Sequence, residues 1–325
     1  MDNDLFLSTL RELSLEEGCA YIQSHRDEIT DVAVTGNLLA DDALAQLYVN
    51  PATSLKLSEV LIFFGEFFLH KSSHALGLKA KGDALRVRGL HQAAIECLDE
   101  AGEEFLSLND EKNWAHSRIS WILAAAWLGR VDDALQEASR AREVFRRLGD
   151  DYWACVVDHN TAMIYDNMGR YQEALDLYED TLTIYPTLID KDEILIKRAI
   201  AIAQFNRALI LAKVGAFEQS YVIQQQAQEI FIALNETSSV VTSEIEMADL
   251  DYTQGYYGSA LHRYYHALDL LLKNNVDNPL VLSELKFWMA KCLLKLNRTQ
   301  EAYNLANEAV AVHRQLGTSL QVSNI

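Results

Sequence analysis

The chain has 325 residues; 50% of them are hydrophobic, 23% are charged and only 3 are proline. This composition is typical of a globular protein rich in helices, and it excludes the disordered, collagen-like and disulfide-rich classes. The formal net charge of -19 gives a surface that repels phosphate, so the sequence predicts no nucleic-acid partner.

The sequence carries no targeting or membrane signal. Its acidic N-terminus lacks the basic and apolar regions of a signal peptide. The most apolar stretch, residues 60–69, contains Glu66 and has ten residues, whereas a membrane span needs about 20. The four cysteines lie far apart, as is typical of small core residues in a reducing compartment. We therefore expect a cytoplasmic protein that does not bind membranes.

The N-terminal region predicts helices that follow no regular repeat. Residues 14–17 have the spacing of a capping box before an amphipathic run, and two more helices are predicted at 41–48 and 54–69. Terminal units of repeat proteins are atypical because they lack one neighbour. We therefore interpret residues 1–37 as N-terminal capping helices and residues 38–71 as a degenerate first helix pair.

A short turn motif recurs through the rest of the chain. It has the form G-x-hydrophobic-x-x-A, and its first position, called the turn residue below, is held by Gly89, Gly129, Gly169, Gly215, Gly255 and Asn297. Successive turn residues are 40, 40, 46, 40 and 42 residues apart. A period of this size predicts a repeat protein in which each unit is one supersecondary element.

Small residues occupy three fixed positions around each turn. Five residues after the turn residue stand Ala94, Ala134, Ala174, Ser220, Ala260 and Ala302. Seven residues further on stand Ala101, Ala141, Thr181, Ala227, Ala267 and Ala309. Seven residues before the turn residue stand Gly82, Ala162, Ala208, Ala248 and Ala290, with Ile122 as the exception. Small side chains on both sides of a turn allow two antiparallel helices to approach closely, so each unit is predicted to be a helical hairpin.

A second motif marks the connections between hairpins. Segments of the form F-x-x-L-[GN]-[DE] begin at Phe105, Phe145 and Phe231, and their spacing matches that of the turns. Glycine or asparagine after the leucine predicts a left-handed residue that ends a helix.

These patterns resemble those of the tetratricopeptide-repeat family, which shares the small-residue columns, the aromatic residue after the turn glycine and a helix-final proline, here Pro186. The usual repeat has about 34 residues, whereas the period here is 40 to 46. The longer form resembles arrays in kinesin light chains, polarity adaptors and bacterial effectors. The resemblance covers residues 72–325 and implies an all-α, right-handed superhelical solenoid of about six antiparallel helix pairs.

The chain ends within a predicted connection. Leu316 lies 82 residues after Leu234, so the residues that follow have the register of the next connection. The last repeat would then lack a capping helix. Three expectations remain open: the tail docks elsewhere, the molecule forms a homodimer through this repeat, or a further domain follows.

The sequence contains no motif of a phosphate-binding loop, dinucleotide site, zinc protease, nucleophile elbow or calcium loop. His70 with His74, and His262 with His266, have the i, i+4 spacing that places two metal ligands on one helical face. Two ligands are too few for a stable site, so we interpret all four as surface histidines. The sequence predicts no enzyme, no cofactor and no metal site.

The predicted partner site lies on the first helix of each hairpin, because these helices line the concave surface of such arrays. The family resemblance implies that an asparagine two residues before the small position holds the backbone of a bound peptide, and Asn160 and Asn206 stand there. An amide suits this task because it both donates and accepts hydrogen bonds. Helical projection places six further residues near the two amides: Arg118, His159, Asp166, Arg207, Asp249 and Tyr252.

The sequence therefore predicts a protein-interaction scaffold or adaptor that binds a segment of a protein or peptide partner in a concave groove. Because the chain is acidic, we expect a basic partner. The alternative is the sensory or regulatory arm of a larger bacterial effector. Its catalytic domain, a caspase-like peptidase, or its transcriptional regulator would then lie outside this chain.

Overall fold

The computed structural model describes residues 3–188, 190–274 and 279–316, and every regular element among them is helical. The helices are α1 (Asn3–Glu12), α2 (Leu15–Ser24), α3 (Val32–Gln46), α4 (Pro51–Phe67), α5 (Lys71–Val87), α6 (His91–Ser107), α7 (Glu111–Trp127), α8 (Val131–Arg147), α9 (Asp151–Asn167), α10 (Tyr171–Ile184), α11 (Glu193–Lys213), α12 (Phe217–Ala233), α13 (Thr237–Thr253), α14 (Tyr257–Lys273), α15 (Pro279–Lys295) and α16 (Thr299–Leu316). None of these helices is both long and apolar enough to cross a bilayer.

The chain forms two compact units, Met1–Gly169 and Arg170–Ile325. Unit 1 contains α1 to α9, and unit 2 contains α10 to α16. Within each unit, helices joined by a tight turn pack as antiparallel pairs, such as α5 with α6 in unit 1 and α13 with α14 in unit 2. The predicted all-α fold of repeated helix pairs is confirmed in both units.

The turn residues adopt the backbone conformation that the repeat motif predicts. The five turn glycines have φ between 73° and 84°, and Asn297 has φ 59°. Most residues with a side chain are strained in this region, which explains why glycine recurs there. Asn109, Gly149 and Asn235, in the second motif, also have positive φ at the ends of α6, α8 and α12. Both sequence registers are therefore confirmed.

The small residues of the three columns are buried between paired helices. Gly82 of α5 shows why they are small. A Cβ atom at this position would lie 2.5 Å from Cγ of Leu98 and 3.2 Å from the backbone oxygen of Ala94, both in α6. Leu98 itself is fully buried. The two helices therefore pack more closely than a side chain at position 82 allows.

The N-terminal region departs from the predicted boundary. Helix α3 is capped by Asp31 and continues without a break, so the predicted division between residues 37 and 38 falls inside it. The reason is Gly36, where a Cβ atom would lie 2.0 Å from Oγ of Ser73. This glycine permits close packing of α3 on α5 and does not interrupt the helix. The first helix pair is therefore α3 with α4.

The longest spacing between turns, 46 residues, has a structural origin in unit 2. Helix α11 has 21 residues, whereas α12 and α13 have 17 each. A 3₁₀ turn that contains Pro186 precedes α11, and Asp192 caps the N-terminus of α11. The connection on which the prediction of an open C-terminal repeat depends, residues 317–325, lies outside the described residues.

Candidate functional site

The first helices of the repeats in unit 1 face a common cavity of about 480 Å³. These inner helices are α3, α5, α7 and α9. Counted back from the turn residue, Ala80, Ser120 and Asn160 share position −9, and all three line the cavity. The position that the sequence analysis selected therefore forms one surface in this unit, which we call the inner cavity of unit 1.

Apolar side chains form much of the wall of the inner cavity. They come from all four inner helices: Leu44, Leu76, Ile119, Leu123, Trp153 and Val156, together with Leu47, which directly follows α3. A concave wall of this kind, with a few polar groups in it, is typical of a site that takes apolar side chains of a ligand.

Arg86 lies at the end of α5 and contacts side chains on both sides of that helix. Its Nε donates to Oγ of Ser120 at 3.2 Å, and its Nη2 donates to the hydroxyl of Tyr48 at 3.0 Å. The other cation of this helix in the cavity, Lys79, forms an ion pair with Asp83 at 2.8 Å. Within the described residues, Arg86 has no carboxylate at ion-pair distance.

His116 lines the same cavity in its neutral form. Burial, with the positive charges of Lys79 and Lys112, lowers the pKa of His116 to about 4. Its ring packs edge-on against Phe145 and Trp153, with centroid distances of 5.0 and 4.6 Å. His116 therefore adds no positive charge to the cavity at neutral pH.

Asn160 is the predicted groove residue that lines the inner cavity. It is 7% exposed, and its side chain makes no hydrogen bond within the described part of the chain. Its amide can therefore both donate to and accept from a ligand. His159 and Asp166 lie on the same helix, are partly buried and are not among the lining residues. Burial lowers the pKa of His159 to about 4.

Arg118 lies away from the inner cavity, which corrects its predicted place on the concave surface. It is 5% exposed, and its guanidinium reaches α6. There Nη1 donates to Asp99 at 2.9 Å, and Nη2 donates to the backbone oxygen of Leu98. Gly102 makes room for it, because a Cβ atom there would lie 2.6 Å from Nη2. Arg118 lines a second cavity of about 440 Å³ between α6, α7 and α8.

Arg118 lies outside the inner cavity because of its place in the repeat: it stands at position −11, eleven residues before the turn residue Gly129. Asp158 of α9 has the same position and pairs with Arg142 and Arg146 of α8 at 2.9 and 3.3 Å. In unit 2, Glu244 of α13 also has this position and accepts a hydrogen bond from Gln228 of α12 at 2.8 Å. Position −11 therefore connects an inner helix to the second helix of the preceding pair.

In unit 2, Asn206 lines a smaller cavity of about 290 Å³ between α11, α12 and α13. The other lining residues are Ile202, Phe205, Phe231, Ser238, Ser239 and Thr242. Asn160 and Asn206 thus each line a cavity within their own unit.

Asp249 and Tyr252 of α13 lie among aromatic and charged residues of unit 2. The hydroxyl of Tyr264 donates to Asp249, and burial raises the pKa of Asp249. The rings of Tyr252 and Trp288 are 5.9 Å apart between centroids. Nζ of Lys291 lies 3.8 Å from the centroid of Trp288 and 5.3 Å from that of Tyr252. A lysine of α15 thus occupies an aromatic surface on these inner helices.

Glu246 stands at position −9 of α13, one turn before Asp249. Burial and the negative charge of Asp249 raise the pKa of Glu246 to about 7, while Lys213 of α11 opposes the shift. Glu246 stands where Asn160 and Asn206 stand in their own repeats. In the structure it belongs to a charged group that three inner helices contribute.

Arg207 stands at position −8 of α11 and is partly buried. Its Nε is buried and has no hydrogen-bond partner among the described residues. In α7 the same position holds Trp121, which lines the second cavity of unit 1. Arg207 does not line the cavity of Asn206, so the structure does not bring these two predicted residues together there.

Two candidate residues that the sequence analysis did not select occupy positions that it used elsewhere. Arg86 stands at position −3, as do Asp166 and Tyr252. Lys291 stands at position −6, as does Asp249. Applying these counts to the first and last hairpins would have placed both on the inner helices, but without their contacts.

The histidine pairs have structural contacts. His70 caps the N-terminus of α5, and Nδ1 of His74 lies 2.9 Å from Glu104. His266 lies 3.3 Å from Glu244. Among the described residues, no three or more metal-binding side chains come together.

Comparison with known proteins agrees with this repeat geometry. The family model described as tetratricopeptide repeat matches residues 115–187. The helix pairs of the chain form a tetratricopeptide-like repeat fold. No curated protein sequence matches it at a significant level.

Several solved structures share the fold of this chain. BtubC from P. vanneervenii is 17% identical, with a TM-score of 0.61 over 71% of this chain and 94% of that one. NprR in complex with its cognate peptide NprX is 15% identical, with a TM-score of 0.58 over 99% and 93%. A STAND protein with a tetratricopeptide-repeat sensor from Pyrococcus horikoshii is 15% identical, with a TM-score of 0.58 over 96% of this chain and 49% of that one.

Proposed function

We propose that this tetratricopeptide-repeat chain is a cytoplasmic adaptor that binds a segment of a protein or peptide partner along its inner helices and catalyses no reaction of its own. The inner cavity of unit 1 carries the proposal. It has a volume of about 480 Å³, apolar walls and the amide of Asn160 among its lining groups. Such a cavity suits the side chains and backbone of an extended peptide.

The two asparagines would hold the backbone of the segment, each within its own unit. The amide of Asn160 has both its donor and its acceptor groups available in the inner cavity. Asn206 lines a cavity with apolar and hydroxyl groups around it. The likeness to NprR, whose structure contains a cognate peptide, supports a peptide as the ligand.

The remaining groove residues extend the proposed surface in each unit. They are His159 and Asp166 in unit 1, and Asp249 and Tyr252 in unit 2. We infer a partner segment with net positive charge, because the chain carries a charge of -19 and Glu246 and Asp249 place carboxylates on the inner helices of unit 2.

A peptide library tests this proposal on the full chain. The probe is a random library of peptides of about ten residues with blocked ends. The wild-type protein should enrich specific peptides. The double variant Asn160→Ala, Asn206→Ala should bind the best peptide about tenfold or more weakly, because hydrogen bonds to its backbone are lost.

The matched control is Asn167→Ala, which removes an exposed amide from the end of α9. It should bind as the wild type does. Helicity and melting temperature should stay nearly unchanged in all variants, so that a loss of binding is not a loss of folding. Equal affinity of the double variant and the wild type would contradict the role of the asparagines.

A second candidate function is the sensory arm of a larger effector. The likeness to the STAND protein with a tetratricopeptide-repeat sensor favours it, and this chain covers 49% of that protein's length. Reading the gene beyond the codon for Ile325 tests it, since an effector domain in the same frame would support the sensory role and a stop codon would favour the adaptor. The sequence analysis also left open a homodimer formed through the last repeat. Sedimentation of the same chain tests it, since a species of twice the monomer mass would support the homodimer.

A further inference from the structure

We propose that the inner cavity of unit 1 recognises the side chain of an aspartate or glutamate within the bound segment, and that Arg86 binds its carboxylate. The inference rests on the proposed function, because it names the chemistry of the segment that this cavity holds. It runs opposite to the expectation that the net charge of the chain alone would give.

Two neutral hydroxyl groups hold the guanidinium of Arg86 in place. Ser120 of α7 accepts a hydrogen bond from Nε at 3.2 Å, and Tyr48 accepts one from Nη2 at 3.0 Å. A guanidinium has five N–H donors, so three remain for a ligand, including both on Nη1. The hydroxyls orient the group without neutralising its charge. This arrangement favours a carboxylate, which forms charge-assisted hydrogen bonds with arginine.

The other charged groups of the cavity leave Arg86 as its available cation. Lys79 is already bound to Asp83 at 2.8 Å. His116 is neutral, because burial lowers its pKa to about 4. Asp41 also lines the cavity, but it is exposed, and no described contact joins it to Arg86. A ligand carboxylate at Arg86 therefore displaces no ion pair.

The position of Arg86 favours an internal side chain over the end of a peptide. Arg86 belongs to α5, the second of the four inner helices, and its two partners lie beside α3 and on α7, so helices of the cavity continue on both sides of it. Asn160, on α9, lines the same cavity farther along. A segment that reaches both residues continues past Arg86.

The neighbouring wall predicts an aliphatic residue next to the acidic one. Ile119 directly precedes Ser120 on α7, and Leu123 follows it by about one helical turn; both line the cavity. Burying an aliphatic side chain against them removes apolar surface from water. The recognised segment thus carries one acidic residue beside an aliphatic one, within a sequence that is otherwise basic.

The experiment uses the full chain and two random libraries of peptides of about ten residues. One library has amidated C-termini, and the other has free C-termini. We expect the amidated library to yield peptides with one fixed Asp or Glu beside an aliphatic residue. Arg86→Gln should weaken the best of them about tenfold or more, and Arg86→Lys should restore part of the loss.

A double-mutant cycle makes the test specific. Replacing the acidic peptide residue by its amide should weaken binding to the wild type and have little effect on the Arg86→Gln protein, because the two groups act as a pair. The matched control is Arg88→Gln, which removes an exposed arginine from the end of the same helix. It should bind as the wild type does, and circular dichroism should show all variants equally folded.

The outcomes separate this inference from the proposed function. Enriched peptides without an acidic residue, or a cycle without coupling, would overturn the role of Arg86 and leave peptide binding intact. Enrichment only in the library with free C-termini, without a fixed Asp or Glu, would show that Arg86 binds a terminal carboxylate, which overturns the internal side chain. The absence of any enriched peptide in both libraries would overturn the proposed function and this inference together.

Discussion

The inner helices of the two units use the same repeat positions for different chemistry. At position −9, unit 1 has Ala80, Ser120 and Asn160, whereas unit 2 has Asn206, Glu246 and Trp288. Unit 1 forms an apolar cavity with one available arginine, and unit 2 forms a surface of carboxylates, lysines and aromatic rings. The repeat thus determines where a side chain points, and the residue type determines what the surface can bind.

The largest expected effect concerns the two arginines that the sequence placed on the inner surface. Arg118→Met should lower the free energy of unfolding by about 2 to 3 kcal/mol, because it removes the buried guanidinium and leaves Asp99 and the backbone oxygen of Leu98 without its hydrogen bonds. Arg207→Met should cost less than about 1 kcal/mol, since Nε of Arg207 has no hydrogen-bond partner among the described residues.

Urea unfolding of the full chain, followed by circular dichroism, measures both arginine variants. The two substitutions are chemically identical, so each is the control for the other. Equal losses would show that positions −11 and −8 contribute alike to stability, and the structural distinction between the two arginines would then be wrong.

A smaller effect is expected from two glycines inside helices. Gly82→Ala in unit 1 should lower stability by about 1 to 3 kcal/mol, because the new Cβ atom would lie 2.5 Å from Leu98. Gly258→Ala in unit 2 meets no atom within 4 Å and should raise stability by about 0.5 to 1 kcal/mol through helix propensity. A rise in melting temperature for both variants would contradict the close approach of α5 and α6.

The smallest effect concerns pH and distinguishes the two units at position −9. The pKa of Glu246 is raised from 4.5 to about 7 in the folded chain, so the folded state holds the proton more tightly than the unfolded state. The contribution of Glu246 to the free energy of unfolding is therefore fully present at low pH and is lost as the pH rises from 4.5 through 7.

Glu246→Gln should flatten this decline by an amount on the order of 1 kcal/mol, measured as unfolding free energy at a series of pH values. Glu229→Gln, an exposed change of the same kind on α12, should leave the decline as it is. A decline of the same size in the Glu246→Gln protein would assign the titration to another group.

The fold could be read from the sequence because it depends on local and periodic signals. The turn residues with positive φ and the small-residue columns are both visible without knowing which helices touch. The predicted boundary at residues 37 and 38 falls inside α3, and the packing of Gly36 of this helix on Ser73, which is distant in sequence, is visible only in the folded chain.

The candidate site was predicted in part for a related reason. Asn160 and Asn206 were selected because the family pattern marks their position; each lines a cavity, and their role in binding stays a prediction. Arg118 was misplaced because position −11 lies about 200° around the helix from position −9, on the side that faces the preceding helix pair. Arg86 was missed because its value as a binding group depends on Tyr48 and Ser120, which only the folded chain brings to it.

The contact between Gly102 and Arg118 makes the effect of one substitution depend on the other. Glycine inside a helix is less stable than alanine by about 1 kcal/mol. While Arg118 is present, alanine at position 102 would place its Cβ atom 2.6 Å from the guanidinium. Once the arginine is gone, the same change gains helix propensity and meets no guanidinium. The alanine is therefore more favourable without the arginine than with it, so the order in which an evolving lineage changes the two positions affects the stability of the intermediate.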